Sequence, residues 1–168
     1  MKRATFYLLW SSTASYLIDN QTQWICNLVH AQWREKRKGI LVACLDQQQA
    51  IQLDQALWTW APHTFLPHNL VGQGPTHGAP VELIWPPQCP DTSYDLLITL
   101  LPQCINYASS FSEVIDFVPL AESCKALARA RYKTYRNLGF TLHTKQLPKT
   151  CFDSVKNTTR DRSYNSLL

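Results

Sequence analysis

The stretch ILVACLDQQQAIQLDQALW, residues 40–58, decides the fold of this 168-residue chain. Its first part, residues 40–45, is a continuous apolar run, which is typical of a strand buried on both faces of a sheet. Asp46 is a suitable helix N-cap, and Leu53 and Leu57 then recur at helical spacing. A buried strand that leads directly into an amphipathic helix indicates one βα unit of a parallel sheet.

The alternation of strand and helix also covers the residues before this unit. Upstream, residues 4–9 (ATFYLL) predict a buried strand, and residues 19–37 predict a helix that ends in basic residues before Gly39. Downstream, apolar runs and a helical segment predict three strands and a last helix at 81–85, 95–100, 113–118 and 122–138. We therefore predict a single α/β domain over residues 1–143, with a mostly parallel central sheet flanked by helices in Rossmann-like layers.

Two segments lack this periodicity. Residues 58–80 are rich in proline and glycine, so we expect a long irregular loop there. The loop carries Trp58 and Phe65, and apolar side chains on a loop of this length favour a functional surface. Trp58 has an alternative reading as a core residue, since it closes an amphipathic helix. Residues 144–168 are polar and aperiodic, and we expect a flexible C-terminal tail.

Composition restricts the classes of function. Hydrophobic residues make up 45% of the chain, which indicates a folded protein rather than a disordered one. The net charge of +4 is modest, so the position of the charges matters more than their sum. No run approaches the roughly 20 apolar residues of a membrane span, and the six cysteines form no C-x-x-C pair. We therefore expect a cytoplasmic protein with reduced cysteines and no membrane contact.

Sequence motifs for catalysis or cofactor binding are not found. The glycines of VGQGPTHGAP, residues 71–80, follow a loop and precede a strand, whereas a nucleotide fingerprint needs a strand before them and a helix after. The histidines have neither helical i, i+4 pairing nor a cysteine at zinc spacing. A catalytic pair that includes His63 or His68 stays open, because such pairs are assembled in space. The residues thus give no positive indication of a catalytic site, a cofactor or a metal.

The segment KALARARYKTYR, residues 125–136, should be helical and carries a distinctive surface. Five of its residues fall within about a third of the helical wheel, and we call them the basic stripe: Lys125, Arg129, Tyr132, Lys133 and Arg136. Four cations without an acid, around a central tyrosine, favour recognition over a merely solvated face. The ligand should be single-stranded nucleic acid or an acidic peptide with a hydrophobic last residue and a free carboxylate.

Six segments, in the same order along residues 1–143, resemble the chi subunits of bacterial DNA polymerase III. They are ATFYLL (4–9), LVAC (41–44), LDQALW (53–58), PHNLVGQGPTHGAPVELIWP (67–86), EVIDFVP (113–119) and LARARYKTYRNLGF (127–140). The resemblance implies an accessory, non-catalytic subunit of the clamp-loader assembly in DNA replication, at the replisome in the cytoplasm. It implies no cofactor. The implied partners are the psi subunit and the acidic C-terminal tail of single-stranded DNA-binding protein, which ends in Pro-Phe.

The resemblance also implies residues for each partner. The positions that match the tail-binding site are Val118, Lys125, Arg129, Tyr132 and Lys133. Arg136 extends the basic stripe beyond these matches, and we expect a weaker, peripheral role for it. Trp58 and Phe65 match an aromatic pair that contacts psi and a helicase-like protein competing for the same surface. Two hypotheses remain open: a bridging subunit that meets DNA mainly indirectly, and a direct binder of single-stranded nucleic acid through the same helix.

Overall fold

The computed structural model describes residues 1–8, 14–35, 39–60, 65–91, 93–119 and 121–146. Within these ranges the structure has seven strands, three α-helices and one short 3₁₀ helix. In chain order they are β1 (Arg3–Leu8), α1 (Ala14–Arg34), β2 (Ile40–Ala43), α2 (Gln47–Trp60), β3 (His68–Leu70), β4 (Val81–Ile84), β5 (Leu96–Thr99), the 3₁₀ helix (Asn106–Ser110), β6 (Glu113–Val118), α3 (Glu122–Asn137) and β7 (Thr141–Gln146).

The strands form one sheet in the spatial order β3-β4-β2-β5-β6-β1-β7. Every described strand pair is parallel. The central strands β2, β4 and β5 are buried at each residue, because helices or loops cover both of their faces and exclude water from apolar side chains. The predicted α/β fold with a mostly parallel sheet is confirmed.

Two apolar clusters lie on the two faces of the sheet. On one face, α1 and α2 bury residues such as Val29 and Leu53 against Val42 of β2. On the other face, Tyr135 of α3 packs edge-on against Phe6 of β1, with ring centroids 5.9 Å apart. Strands β1 and β6 are neighbours in the sheet. The helix that follows β1, α1, packs on one face, and the helix that follows β6, α3, packs on the other. The carboxyl ends of β6 and β1 therefore form a topological switch point, where open α/β sheets commonly bind ligands.

The structure differs from the sequence-based prediction at both edges of the sheet. The loop predicted over 58–80 contains the short strand β3, and α2 continues to Trp60. Residues 144–146, predicted to belong to the tail, are the last part of β7. Edge strands pair on one side only, and β7 is exposed at every residue except Leu142, so its sequence has no apolar alternation to detect. The rest of the predicted tail, 147–168, lies outside the described residues.

Helix boundaries differ by a few residues. The first helix begins at Ala14 instead of residue 19 and ends at Arg34. The last helix ends at Asn137, and Gly139 follows with a φ of +83°, a left-handed conformation that favours glycine. Its N–H donates to the Arg136 carbonyl at 3.1 Å. Gly139 therefore acts as the C-terminal stop that the sequence predicted, and the chain turns directly into β7.

Candidate functional site

Helix α3 places the basic stripe beside the face that packs on the sheet, and Tyr132 borders that face. Its buried residues, Ala128, Arg131 and Tyr135, recur every three or four positions and so form one face that packs on the sheet. In the basic stripe, Lys125 is half-buried and the other four residues are exposed. The helical wheel thus predicted the solvent-facing side of α3 correctly, while the binding role of these residues stays a prediction.

Tyr132 is an aromatic side chain that is packed on one side and open on the other. Its ring centroid lies 5.2 Å from that of the buried Phe6, and the residue is 38% exposed. Val118, at the end of β6, is half-buried and packs against the apolar cluster that contains Phe6. The structure therefore brings Val118 and Tyr132 to the same apolar cluster, beside the cations of α3. Such a backed ring is a rigid platform for another apolar group.

An acidic residue that the sequence analysis missed joins the basic stripe. Glu122 is the first residue of α3, and its carboxylate accepts hydrogen bonds from Lys125 Nζ and Arg129 Nη2, each at 3.2 Å. The hydrogen bond from Lys125, more than the contact with Arg129, lowers the pKa of the Glu122 carboxyl. The i, i+3 spacing of Glu122 and Lys125 within the predicted helix is the signal in the sequence for this contact.

Arg131 is the second residue that the sequence analysis missed. Its guanidinium donates to both carboxylate oxygens of Asp116, at 2.8 and 2.9 Å, and to the carbonyls of Pro102, at 2.7 Å, and Phe117, at 2.8 Å. Both charged side chains are buried. Burial raises the pKa of the Asp116 carboxyl, and the hydrogen bonds and charge of Arg131 oppose this shift. Arg131 therefore fixes α3 to the carboxyl ends of β5 and β6, next to Val118.

Trp58 and Phe65 form a second exposed surface. Trp58 is 57% exposed and Phe65 is 68% exposed, which excludes the core reading of Trp58, and their ring centroids lie 6.2 Å apart. Two large aromatic side chains in contact at the surface are typical of an interaction site. The pair remains a prediction as a partner contact.

His68 is a buried residue that packs against Trp58 of this aromatic pair. Its ring centroid lies 4.6 Å from that of Trp58. The side chain is buried, with Nδ1 2.7 Å from the Leu66 carbonyl and Nε2 3.5 Å from Asp54 Oδ1. The ring nitrogens therefore face groups of the protein's own fold. His63, the other histidine considered for catalysis, lies outside the described residues.

The two surfaces lie far apart in the fold. Helix α2, which ends at the aromatic pair, packs against β3 and β4 at one edge of the sheet. Helix α3, which carries the basic stripe, packs against β6 and β7 near the other edge, on the opposite face. The two surfaces therefore lie on opposite faces of the sheet.

In the part of the chain that the structure describes, no three His, Cys, Asp or Glu side chains are arranged to hold a metal ion. None of the helices in these ranges has the length and apolar character needed to cross a membrane. Cys26 and Cys44 are free, and burial raises the pKa of both thiols to about 12, so neither is a reactive thiolate at neutral pH.

Comparison with known proteins identifies relatives of the whole folded domain. The family model for the DNA polymerase III chi subunit, HolC, matches residues 1–143. DNA polymerase III subunit chi of Escherichia coli is 45% identical over 144 residues, which cover 86% of this chain and 97% of that protein. The Haemophilus influenzae protein of the same name is 34% identical over 146 residues, or 87% and 98% of the two chains. The Pseudomonas aeruginosa protein is 30% identical over 150 residues, or 89% and 99%.

Among solved structures, T4 UvsW has a similar fold, with a TM-score of 0.55 and 10% sequence identity. The match covers 87% of this chain but only 42% of UvsW, and it concerns the fold alone. The family resemblance found in the sequence is confirmed by the matches over residues 1–143 and by the identities above. This chain belongs to the DNA polymerase III chi subunit family.

Proposed function

We propose that this chain is an accessory, non-catalytic subunit of the polymerase III clamp-loader assembly, and that it bridges the psi subunit to the acidic C-terminal tail of single-stranded DNA-binding protein. The observation that carries the proposal is the half-exposed ring of Tyr132, backed by Phe6 and bordered by the exposed cations Arg129 and Lys133. This combination suits a ligand that has both negative charge and an apolar end.

Each part of the tail has a chemically matched group on α3. Carboxylates of the tail would accept hydrogen bonds from Lys125, Arg129 and Lys133, with Arg136 contributing at the periphery. The terminal phenylalanine ring would lie against Val118 and Tyr132, which border one apolar cluster. The proposed site therefore binds the negative charges of the tail along α3 and its terminal aromatic ring at the end of β6.

The psi subunit is assigned to the other surface. The exposed rings of Trp58 and Phe65 supply the kind of aromatic contact that dominates protein interfaces. A helicase-like protein that uses the same pair would compete with psi. Because this surface and the basic stripe lie on opposite faces of the sheet, psi and the tail would not compete for the same residues.

Direct binding of single-stranded nucleic acid by the basic stripe is the second candidate function. The exposed cations and the open ring of Tyr132 favour it, since phosphates and a stacked base would use the same groups. The two candidates differ in what they require of the ligand. Direct binding of nucleic acid has a steep salt dependence and depends on strand length. If the tail is the ligand, a short acidic peptide binds without any DNA.

Binding of a fluorescent acidic peptide that ends in Pro-Phe tests the proposal directly. We expect binding in the micromolar range, measured by fluorescence anisotropy, and a loss of roughly 10- to 100-fold when the terminal Phe is removed, because burying one such side chain contributes about 1.5–3 kcal/mol. Binding that does not change on removal of the Phe, together with salt-sensitive affinity for bare single strands, would support the nucleic-acid function instead.

Arg129→Ala is expected to weaken peptide binding by about 1–3 kcal/mol, the range for losing a hydrogen bond to a charged group. Psi association should be unchanged, because Trp58 and Phe65 lie on the opposite face. Isothermal titration of each partner separates the two effects. Arg34→Ala is the matched control, since it removes the same charge from the exposed end of α1. An equal loss in both variants would show a general charge effect.

A further inference from the structure

The two halves of the basic stripe differ in their ion-pair partners. In the first half, one carboxylate, that of Glu122, bridges Lys125 and Arg129 at 3.2 Å each. In the second half, no carboxylate among the described residues lies in ion-pair contact with Lys133 or Arg136. The four cations and one acid give this face of α3 a net charge of +3. The acid, Glu122, lies at the N-terminal end of the helix.

We infer that Glu122 is an intramolecular competitor for the acidic peptide, occupying two of the cations that the peptide needs and leaving them when it binds. The inference rests on the proposed function, because it concerns the same surface. It adds a residue that limits the affinity for the peptide.

The geometry supports competition in two ways. Glu122 presents the same carboxylate group that an aspartate of the peptide would present, at hydrogen-bond distance from the same nitrogen atoms. Its side chain is 72% exposed and that of Arg129 is 68% exposed, so a peptide can approach both from solvent. Exposed ion pairs are weak, because water competes for the charges and two long side chains must be ordered. Displacing Glu122 therefore has a small cost.

A different role for Glu122 makes the opposite prediction. As an acid in the first turn of α3, it interacts favourably with the positive end of the helix dipole. It also orients Lys125 and Arg129, and pre-orientation of the cations would assist a ligand instead of competing with it. Under that alternative, removing the carboxylate weakens peptide binding. Under competition, removing it strengthens peptide binding.

Glu122→Gln in the full chain separates these roles. We expect the acidic peptide ending in Phe to bind about 3- to 10-fold more tightly, as the removal of one nearby like charge predicts, with a gain that shrinks at high salt. The matched control is Asp91→Asn, which makes the same charge change at an exposed residue between β4 and β5. Unchanged or weaker binding by Glu122→Gln, or an equal gain in Asp91→Asn, would overturn the inference.

A double-variant comparison localises the effect. In an Arg129→Ala background, Glu122→Gln should give a smaller fold gain than it gives in the wild-type chain, because one of the two contested cations is already gone. An undiminished gain would show that Glu122 acts on the peptide by general repulsion and not through Arg129, and would contradict the competition.

Carbon-13 NMR of the Glu122 carboxyl supplies a readout that does not depend on affinity. In the free protein its pKa should lie below the usual value, since Lys125 and Arg129 stabilise the charged form. Saturating peptide should raise this pKa towards the usual value as the carboxylate is displaced, and a pKa that stays low would refute displacement. If wild type binds the peptide but Glu122→Gln is not tighter, only this inference fails. If neither protein binds the peptide, the proposed function fails as well.

Discussion

Arg131→Ala is expected to lower the free energy of unfolding by about 3–5 kcal/mol, the range for breaking a buried ion pair. The change leaves the carboxylate of Asp116 buried without its partner, and it also removes hydrogen bonds to the carbonyls of Pro102 and Phe117. Burial of the charged group, and not the attraction within the pair, accounts for most of this cost. Urea denaturation followed by circular dichroism measures the effect.

Two control variants make this prediction specific. Arg136→Ala removes an exposed arginine from the same helix and should change stability by less than about 0.5 kcal/mol. The double variant Arg131→Met with Asp116→Leu removes both charges and should recover most of the lost stability, because no unpaired charge remains in the interior. If Arg131→Ala lowers the free energy of unfolding no more than Arg136→Ala does, the Asp116 carboxylate does not depend on Arg131.

The sequence predicted the centre of the sheet and not its edges. Strands such as β2 and β5 are buried on both faces, so their residues form uninterrupted apolar runs that any pattern analysis detects. The edge strand β7 is exposed at nearly every residue and is held chiefly by backbone pairing to β1. Backbone pairing has no side-chain pattern, and a strand of only three residues such as β3 is too short to show one.

The candidate site was predictable in its exposed part and not in its buried part. The helical wheel found the basic stripe because exposed cations at helical spacing form a visible pattern. The same wheel also indicates that Arg131 is buried, because it lies roughly 40° from Tyr135 at 100° per residue, and Tyr135 belongs to the face that packs on the sheet. A lone cation on the face that packs against the sheet requires a buried acid, and Asp116 is the one acid inside the apolar run VIDFV of β6. Only the fold shows that these two residues meet.

Removing both exposed aromatic rings, by Trp58→Ala with Phe65→Ala, is expected to weaken psi binding by about 2–4 kcal/mol, or roughly 30- to 1000-fold. The two rings lie in contact and more than half of each residue is exposed, so a partner would bury large apolar area on both. Co-purification and isothermal titration with psi measure the loss. Each single variant should lose part of this free energy, and Phe65→Ala is the cleaner of the two because Trp58 also packs on His68.

The double variant also tests whether the two surfaces are independent. It should bind the acidic peptide with wild-type affinity, because α2 lies on the opposite face of the sheet from α3, which carries the proposed peptide site. Leu127→Ala is a suitable control, since it removes an exposed apolar side chain, 41% accessible, from α3 and should leave psi binding unchanged. If the aromatic double variant loses the peptide and Arg129→Ala loses psi, the two activities depend on one surface or on overall folding, and the bridging arrangement is wrong. Retention of the peptide with loss of psi would leave a subunit that binds the tail peptide but not psi, which is the outcome that two separate docking surfaces require.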